Sequence, residues 1–398
     1  MIMRIAKWMG IIPILLIALL GLVWATSPDP KFNPATFGEK PLVPQIAPLG
    51  KAVTLAQYND DSGETVTLLV LDIDGHQVTG VDLSQLDAPR AEDPFVAIAA
   101  VNADKLQQSE FESAAKTTVA IDQLLPIAPS GDRHIGSGTN FPEHAEEAGS
   151  DSVFQFPKFG KATPARTTVK HREGILLDYE VEFCMRFDRD ITSVEDFDAA
   201  QKGLFLCGDF TNRNALVELA DPDNLDSGYG FSDAKSGPDS FPSGPFLVIP
   251  KDWQTFTQEL RMTTDLNGEA RQDAMGNEMT MNFRQLAEKA LADTAERRFL
   301  YQDEFYFLAP DKRISQTSTL MSGTSEGVIF TPPTRGDYVS ILFGYVAEGL
   351  LFSGDNFMDF AKAKFLDAEF QSGHFLKAGD VVRHGSNYLG DIEVTVVR

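Results

Sequence analysis

Residues 175–184, which read ILLDYEVEFC, are the most informative segment of the sequence. Side chains alternate between the two faces of a strand, so the odd-numbered residues form one face that is apolar except for a tyrosine hydroxyl. Asp178, Glu180 and Glu182 share the other face. A half-exposed strand gives the same pattern with its acids in water. Three acids in a row repel one another, however, and a bound Mg²⁺ or Mn²⁺ ion would explain them, because these cations prefer oxygen ligands.

A second segment, residues 138–147 (GTNFPEHAEE), places a histidine and a glutamate three residues apart. On a helical turn His144 and Glu147 would meet. A carboxylate beside an imidazole orients the ring and raises its basicity, as a general base requires. Taken alone, the pair also has the spacing of an ordinary surface ion pair.

Asp209 and Lys235 are two further candidates for a metal or substrate site. Asp209 follows the apolar stretch 203–207 and would either cap a helix or act as a third metal ligand. Lys235 lies in residues 234–245, where prolines stiffen the chain and glycines permit tight bends, so this loop would present a cation in a fixed geometry. A lysine on a surface turn would give the same local pattern.

Seven segments occur in the order found in the fumarylacetoacetate hydrolase family, and the chain from about residue 130 to residue 398 resembles that family. The segments are residues 138–147, 178–182, 208–213, 235–245, 267–272, 323–328 and 376–380. Their order is more specific than any one of them. The resemblance implies a mainly β fold with some α: a β-roll catalytic domain over residues 130–398, often dimeric, preceded by a small β-rich N-terminal domain over residues 51–129.

The resemblance also implies roles for eight residues. They are the metal ligands Glu180, Glu182 and Asp209, the catalytic residues His144, Glu147 and Lys235, and the substrate-binding residues Arg213 and Thr324. The implied cofactor is Mg²⁺ or Mn²⁺, and the implied substrate is a small anionic oxo acid. The expected reaction is hydrolysis of a carbon–carbon bond in a 1,3-dicarbonyl or 2-oxo acid of the acylpyruvate type. Alternatives are a decarboxylase, tautomerase or dehydratase on the same site, or a non-catalytic exported binding protein on a degenerate fold of this family.

The sequence departs from the family pattern at three positions near these segments. Asn214 stands where many members have aspartate, Leu216 where glutamine is frequent, and Ser325 where proline is frequent. A helical insertion is expected over about residues 334–373. These departures bear on the substrate more than on the metal site.

The N-terminal residues differ in character from the rest of the chain. Arg4 and Lys7 precede an uncharged apolar run over residues 8–25, the pattern of a signal peptide. The alternative is an uncleaved anchor, since a membrane span needs about 20 apolar residues. Either reading places the protein outside the cytoplasm, in a periplasm, with membrane contact only through this segment if it is not cleaved. Residues 26–50 contain six prolines and are predicted to be a linker.

Composition limits the partners. The formal net charge of −24 argues against nucleic acid, which binds basic surfaces, and an anionic substrate would need local positive charge. Cys184 and Cys207, the two cysteines of the chain, would lie on the faces that carry the acidic residues. Export would permit a disulfide, but two buried free thiols are the expectation.

A β-hairpin is predicted at residues 65–81, and helices at 93–113, 281–297 and 338–370.

Overall fold

The computed structural model describes residues 15–27, 41–101, 114–150, 152–221, 224–354 and 356–398. The strands of these residues are β1 (Ala52–Asn59), β2 (Thr65–Asp74), β3 (Gln77–Asp82), β4 (Lys116–Ala120), β5 (Arg133–Gly138), β6 (Phe154–Phe159), β7 (Arg166–Lys170), β8 (Leu177–Asp178), β9 (Val181–Phe187), β10 (Lys202–Gly208), β11 (Thr211–Asn212), β12 (Leu247–Pro250), β13 (Arg261–Leu266), β14 (Glu269–Met275), β15 (Phe299–Tyr301), β16 (Glu304–Tyr306), β17 (Leu320–Thr324), β18 (Val381–Ser386) and β19 (Gly390–Val397). The α-helices of these residues are α1 (Pro94–Ala99), α2 (Pro142–Ala148), α3 (Val194–Ala199), α4 (Arg213–Leu219), α5 (Phe231–Lys235), α6 (Trp253–Glu259), α7 (Phe283–Ala292), α8 (Arg335–Ala347) and α9 (Phe357–Ser372), and residues 15–25 are also helical.

Two sheets form the body of the protein. The larger has ten strands in the order β4-β3-β2-β1-β12-β10-β9-β17-β5-β6, and the smaller has five in the order β14-β13-β18-β19-β7. The five-stranded sheet contacts β9 and β10 through β13, β18 and β19. This arrangement buries β9 and β10 on both faces and confirms the mainly β prediction with some α.

Residues 175–184 do not form one uninterrupted strand. β8 pairs with β11, and β9 lies in the ten-stranded sheet between β10 and β17; the two pairings share one antiparallel register, but regular strand structure is interrupted at Tyr179 and Glu180. The prediction of a single alternating strand over residues 175–184 is therefore wrong in detail. The reading with acids in water is also wrong, because Asp178, Glu180 and Glu182 are buried.

The expected small N-terminal domain does not form a separate sheet. β1 pairs with β12, and Val53 faces Ile249 across that pair, so the strands of residues 52–120 extend the ten-stranded sheet. Leu55 and Leu69 share one hydrophobic core with Phe205 and other residues of the later strands. The boundary expected near residue 129 thus does not divide two cores.

The predictions for single elements are confirmed in part. The hairpin is β2 and β3, paired antiparallel. Asp93 caps α1 through a hydrogen bond from the Phe95 N–H, but that helix ends at Ala99, and residues 102–113 of the prediction lie outside the described residues. The helix expected at 281–297 is α7, which begins after the capping residue Asn282. The helix expected at 338–370 is two helices, α8 and α9, separated by a short 3-10 turn at Leu350–Phe352.

Cys184 and Cys207 form a disulfide between β9 and β10, with their Cα atoms 6.0 Å apart. The expectation of two free thiols was wrong. Both residues lie on the same face of adjacent antiparallel strands, and Cys207 stands directly opposite Glu182. The two side chains therefore meet inside the core, as the shared face had indicated, and the spacing suits a disulfide.

The chain divides into two compact units. One contains residues 330–375 together with residues 15–27, which are the described part of the N-terminal segment; the other contains the remaining strands, including both large sheets. The unit formed by residues 15–27 and 330–375 is called the helical unit below. Among the described residues, none of the helices combines the length and apolarity that a membrane crossing requires.

Candidate active site

Three buried carboxylates converge where β9 and β10 meet. Glu182 lies in β9, Glu180 just before it, and Asp209 just after β10. The register places them together, because Cys207 faces Glu182 and the Asp209 N–H donates to the Glu180 carbonyl at 2.9 Å. One oxygen from each side chain lies within 4.8 Å of the others. The three residues predicted as metal ligands therefore share one site.

Lys235 enters this site from the end of α5. Its Nζ donates to Glu180 Oε2 at 2.7 Å, to Asp209 Oδ2 at 3.1 Å and to Thr211 Oγ1 at 2.9 Å. Burial alone would lower the pKa of this lysine, but the charges of Asp209 and Glu180 outweigh it, and the pKa is raised. Lys235 is therefore a charged group inside the acidic cluster, not a surface lysine.

Arg213 closes the other side of Glu180. Its Nε lies 2.7 Å from Asp178 Oδ2, and its Nη2 lies 2.7 Å from Glu180 Oε1. Desolvation opposes the charge of Arg213, yet Asp178 and Glu180 raise its pKa above the ordinary value. Asp178 also accepts hydrogen bonds from the Tyr179 and Ile329 N–H groups. Asp178 thus holds the Arg213 side chain in position beside Glu180.

Glu182 differs from the other two acids. Its Oε2 accepts a hydrogen bond from the Gly323 N–H at 2.7 Å, but within the described parts of the chain no ion pair reaches it. Gly323 has φ of +83°, and a Cβ there would lie 3.1 Å from the Ser137 carbonyl oxygen, so glycine suits this approach. Burial and the charges of Asp209 and Glu180 raise the pKa of Glu182 well above its usual value.

The predicted dyad is formed on α2. His144 Nδ1 and Glu147 Oε2 are 2.9 Å apart, and Glu147 Oε1 accepts a hydrogen bond from the Gly327 N–H at 3.4 Å. Both side chains are largely buried. The Gly327 N–H contacts Glu147 and the Gly323 N–H contacts Glu182, so the short segment 323–327 connects the dyad to the acidic cluster. The structure thus brings the dyad and the acidic cluster together.

Lys158 belongs to the site but did not stand out in the sequence. Its side chain is fully buried, and its Nζ lies 2.7 Å from Asp209 Oδ1 and 3.3 Å from the Ser240 carbonyl oxygen, with a further bond to the Lys235 carbonyl. Burial lowers its pKa despite the nearby Asp209 charge. The available signal was a single charged residue in the largely buried strand β6, residues 154–159 (FQFPKF).

Thr324 lies beside the site with its hydroxyl already used within the protein. Its Oγ1 donates to the Val181 carbonyl at 2.8 Å and accepts from Gln272 Nε2 at 2.9 Å. Gln272 Oε1 in turn accepts from Thr264 Oγ1 and from the Val181 N–H. This network fixes the backbone next to Glu182. Gln272 lies in the segment 267–272, which carries part of the family resemblance, but the sequence predicted no role for this residue.

The family comparison agrees with this geometry. Residues 133–397 match the model of the fumarylacetoacetate (FAA) hydrolase C-terminal domain, which is more than half of the chain. The chain belongs to the fumarylacetoacetate hydrolase family. The resemblance seen in the sequence is therefore confirmed.

Solved structures of the same fold extend over most of the chain. A fumarylacetoacetate hydrolase from Exiguobacterium antarcticum is 16% identical, with a TM-score of 0.52, and the match covers 87% of this chain and 99% of that one. A probable 2-hydroxyhepta-2,4-diene-1,7-dioate isomerase from Mycobacterium abscessus is 17% identical, with a TM-score of 0.50, and covers 87% and 98%. No curated protein matches the chain. At these identities the structures show the fold of the family alone.

The donor set fits a divalent cation of the kind this family would use. All three candidate ligands offer carboxylate oxygens, which Mg²⁺ and Mn²⁺ prefer. Four buried carboxylates, with Asp178 included, face three buried cations, which are Lys158, Arg213 and Lys235. The unmatched charge falls on Glu182. A buried carboxylate without an ion pair is costly, and a bound cation would offset that cost.

The departures from the family pattern have local structural roles. Asn214 Oδ1 accepts a hydrogen bond from the Leu176 N–H at 2.9 Å and so ties α4 to the segment that leads into β8. Leu216 is buried in the same helix. Ser325 is fully buried, and its carbonyl accepts a hydrogen bond from Gln272. None of the three substitutions disturbs the contacts of the carboxylates.

Proposed function

We propose that this chain is a metal-dependent hydrolase that cleaves a carbon–carbon bond in a 1,3-dicarbonyl or 2-oxo acid of the acylpyruvate type. One observation carries the proposal: a histidine–glutamate dyad stands beside three buried carboxylates whose oxygens converge within 4.8 Å. Solved structures with the same fold bear the names of a hydrolase and an isomerase, which supports an enzyme and leaves the reaction to be tested.

The dyad fixes which ring nitrogen of His144 would take a proton. Nδ1 is held by Glu147 Oε2, so the N–H lies on Nδ1 and the lone pair on Nε2. Nε2 would therefore accept a proton from water as its oxygen attacks the carbonyl carbon. Glu147 stabilises the imidazolium that forms, and the Gly327 N–H holds the second oxygen of Glu147 in place.

The remaining parts supply charge for an anionic substrate. Mg²⁺ or Mn²⁺ held by Glu180, Glu182 and Asp209 would act as a Lewis acid for negative charge that develops on the substrate oxygens. Lys235 and Arg213 add fixed positive charge in a protein whose net charge is −24. The broken carbon–carbon bond gains hydroxyl at the carbonyl carbon and a proton at the leaving carbon, which gives two acids.

The test is a product assay on acylpyruvates and oxaloacetate with added Mg²⁺. We expect His144→Gln to lower turnover by about 10² or more, the usual contribution of general base catalysis, with Mg²⁺ binding unchanged by calorimetry. The matched control is Glu143→Gln, an exposed position on the same helix, which should leave turnover as it is. Equal turnover in His144→Gln and the parent protein would rule out the assigned base.

The same assay separates the related reactions. Hydrolysis yields two acids, decarboxylation releases carbon dioxide from oxaloacetate, and isomerisation leaves the mass of the substrate unchanged. A protein that binds Mg²⁺ and oxo acid but forms no product under any condition would instead be a binding protein on this fold.

We also propose that the protein is exported to an oxidising compartment such as a periplasm, where the Cys184–Cys207 disulfide would persist. Disulfides are rare in reducing cytosol. The test is a thiol titration of protein that is trapped with an alkylating agent in the cell and then unfolded. No reactive thiol is expected before reduction and two after it; two free thiols at the outset would contradict export.

A homodimer is the oligomeric state that we propose, on the basis of the family resemblance. Light scattering of the purified protein should give twice the mass of one chain. A mass equal to that of one chain, unchanged over a hundredfold range of concentration, would contradict this.

A further inference from the structure

The N-terminal segment contacts the insertion of the helical unit through specific polar bonds. Trp24 Nε1 donates to Ser340 Oγ at 3.1 Å, and Ser27 Oγ accepts from the Gly336 N–H at 2.8 Å. That N–H lies in the first turn of α8, where backbone donors lack partners within the helix. A segment that is removed on export could not satisfy this backbone donor in the mature chain.

The helical residues 15–25 are apolar on every side. Leu20 and Val23 are partly buried, and together with Ser27 they have the spacing of one helix face. The other faces expose leucine and isoleucine side chains and Trp24. A helix that is hydrophobic all round is buried in protein or lies in lipid. Among the described residues of this unit, protein covers only one of its faces.

The insertion exposes apolar side chains in the same helical unit. Phe343 and Val346 on α8 are about half exposed, and Phe352, in the turn that follows, is 90% exposed. From residue 338 to residue 353 the chain has a single charge, Glu348, which pairs with Lys364 at 3.0 Å. Large exposed apolar groups with so little charge are typical of an interaction surface.

We propose that the N-terminal segment is retained in the mature chain and that the helical unit is a membrane-binding module. The apolar helical residues 15–25 enter the bilayer, and residues 338–353 lie at its surface with Phe343, Val346 and Phe352 in contact with acyl chains. Trp24 fits the boundary between lipid and water, where an indole keeps a polar partner while its ring is in apolar surroundings.

The occupant is a lipid bilayer rather than a second protein, because the exposed side chains of the insertion belong to the same unit as an uncharged N-terminal helix. The near absence of charge also predicts the kind of lipid. Attraction to anionic headgroups needs lysine or arginine clusters, and residues 338–353 have none. Binding should therefore occur on neutral phosphatidylcholine and should resist high salt.

The experiment uses the full-length protein in phosphatidylcholine vesicles that contain a lipid with a photoactivatable acyl chain. After illumination, peptides are mapped by mass spectrometry. We expect lipid adducts in residues 15–25 and also in residues 338–353, unchanged at 1 M salt. N-terminal sequencing of the protein from its native membrane should show that residues 15–27 are present.

A triple variant with Phe343→Ser, Val346→Ser and Phe352→Ser tests the insertion directly. These side chains are exposed, so the fold should persist, and adducts in residues 338–353 should fall roughly tenfold or more, since each lost apolar contact weakens partition. The matched control replaces two exposed apolar residues outside the helical unit, Phe305→Ser and Val96→Ser. It should leave the adducts unchanged.

Two results would overturn the proposal. A mature chain that begins after Ala25 would show that the N-terminal segment is a cleaved signal. Adducts confined to residues 15–25 would show that the segment is only a tether, and would leave the exposed insertion to a protein partner or a second copy. Neither result depends on turnover, so the hydrolase proposal stands or falls separately.

Discussion

Lys158 and Lys235 divide the two oxygens of Asp209 between them. Lys158 lies 2.7 Å from Oδ1, and Lys235 lies 3.1 Å from Oδ2. Neither lysine is available to solvent. The two lysines therefore hold the Asp209 carboxylate in one orientation and also add positive charge next to the candidate metal position. Their effects on stability and on cation binding should have opposite signs.

Replacement of Lys158 by methionine should reveal both effects. Removal of one partner of a buried ion pair commonly costs 3–5 kcal/mol, and because Lys235 still neutralises Asp209 we expect about 3 kcal/mol. The more negative site should gain more thermal stability from Mg²⁺ than the parent protein does. Urea unfolding and melting curves with and without Mg²⁺ provide the measurement.

The control for that variant is Lys161→Met, an exposed lysine three residues away. It should change neither quantity. If Mg²⁺ stabilised Lys158→Met less than the parent protein, the repulsion between Lys158 and the cation would be refuted.

Glu182→Gln and Glu180→Gln should affect the metal-free protein in opposite ways. The raised pKa of Glu182 means that its ionised form is disfavoured by folding, so its contribution to stability is lost as pH rises through that pKa. Glutamine removes this cost at neutral pH. Glutamine at 180 instead breaks the pairs with Lys235 and Arg213 and should cost about 3 kcal/mol.

Both variants should lose stabilisation by Mg²⁺, since each removes a ligand charge. Unfolding in EDTA compared with unfolding in Mg²⁺ at pH 7.5 separates these effects. A large loss of stability for Glu182→Gln in EDTA would show that this side chain has a structural ion pair and would count against the metal assignment.

At the scale of elements, the sequence showed which residues share a face but not where a strand ends. Alternation correctly grouped the acids and both cysteines. It missed the interruption of regular strand structure at Tyr179 and Glu180, across which β8 and β11 keep the antiparallel register of β9 and β10. Lys158 was missed because in sequence it is one lysine in a strand, and its partner Asp209 comes from another element.

A prediction about stability concerns the disulfide between β9 and β10. A bridge that closes a loop of about this length stabilises by about 3 kcal/mol in the chain-entropy account. The variant Cys184→Ala with Cys207→Ala should therefore unfold at a correspondingly lower urea concentration than the oxidised parent. Reduced, unfolded parent protein that is refolded without oxidant is the control, and it should match the double variant.

If the double variant and the oxidised parent unfold together, the cross-link contributes nothing beyond what β9 and β10 already gain from pairing. The comparison should be made in EDTA, because a bound cation would also connect these strands through Glu182 and Asp209 and would mask the difference.

At the scale of the whole molecule, the sheet connects parts that the sequence had separated. Residues 51–129 read as a small domain because a proline-rich stretch precedes them and prolines follow them. Their strands nevertheless continue the ten-stranded sheet, since β1 needs β12 as a neighbour. Chain-local signals such as proline and glycine mark turns well, whereas sheet order depends on contacts between distant residues, which composition does not record.

Two histidines buried in this sheet system should make the whole fold sensitive to acid. His134 Nδ1 accepts from the Thr319 N–H and Nε2 donates to the Gly160 carbonyl, an arrangement that needs the neutral ring. Burial lowers the pKa of His134 to about 3, against the ordinary 6.5, and does the same for His384. Because both pKa values are lowered by folding, the contribution of the two neutral histidines to stability is complete above pH 6.5.

As pH falls from 6.5 towards 3, the unfolded chain binds protons at both histidines and the folded chain does not, so the free energy of unfolding should fall through this range. Other groups titrate there too, and a pair of variants isolates the effect. In the parent protein the His384 ring is hydrogen-bonded to Thr264 Oγ1, and His384→Asn replaces the ring with an amide that does not titrate. This variant should show a weaker pH dependence of the free energy of unfolding, measured with urea between pH 7 and pH 4. The exposed His76→Asn should not. Parallel curves for all three proteins would mean that His384 takes up protons equally in the folded and unfolded states, which contradicts its lowered pKa.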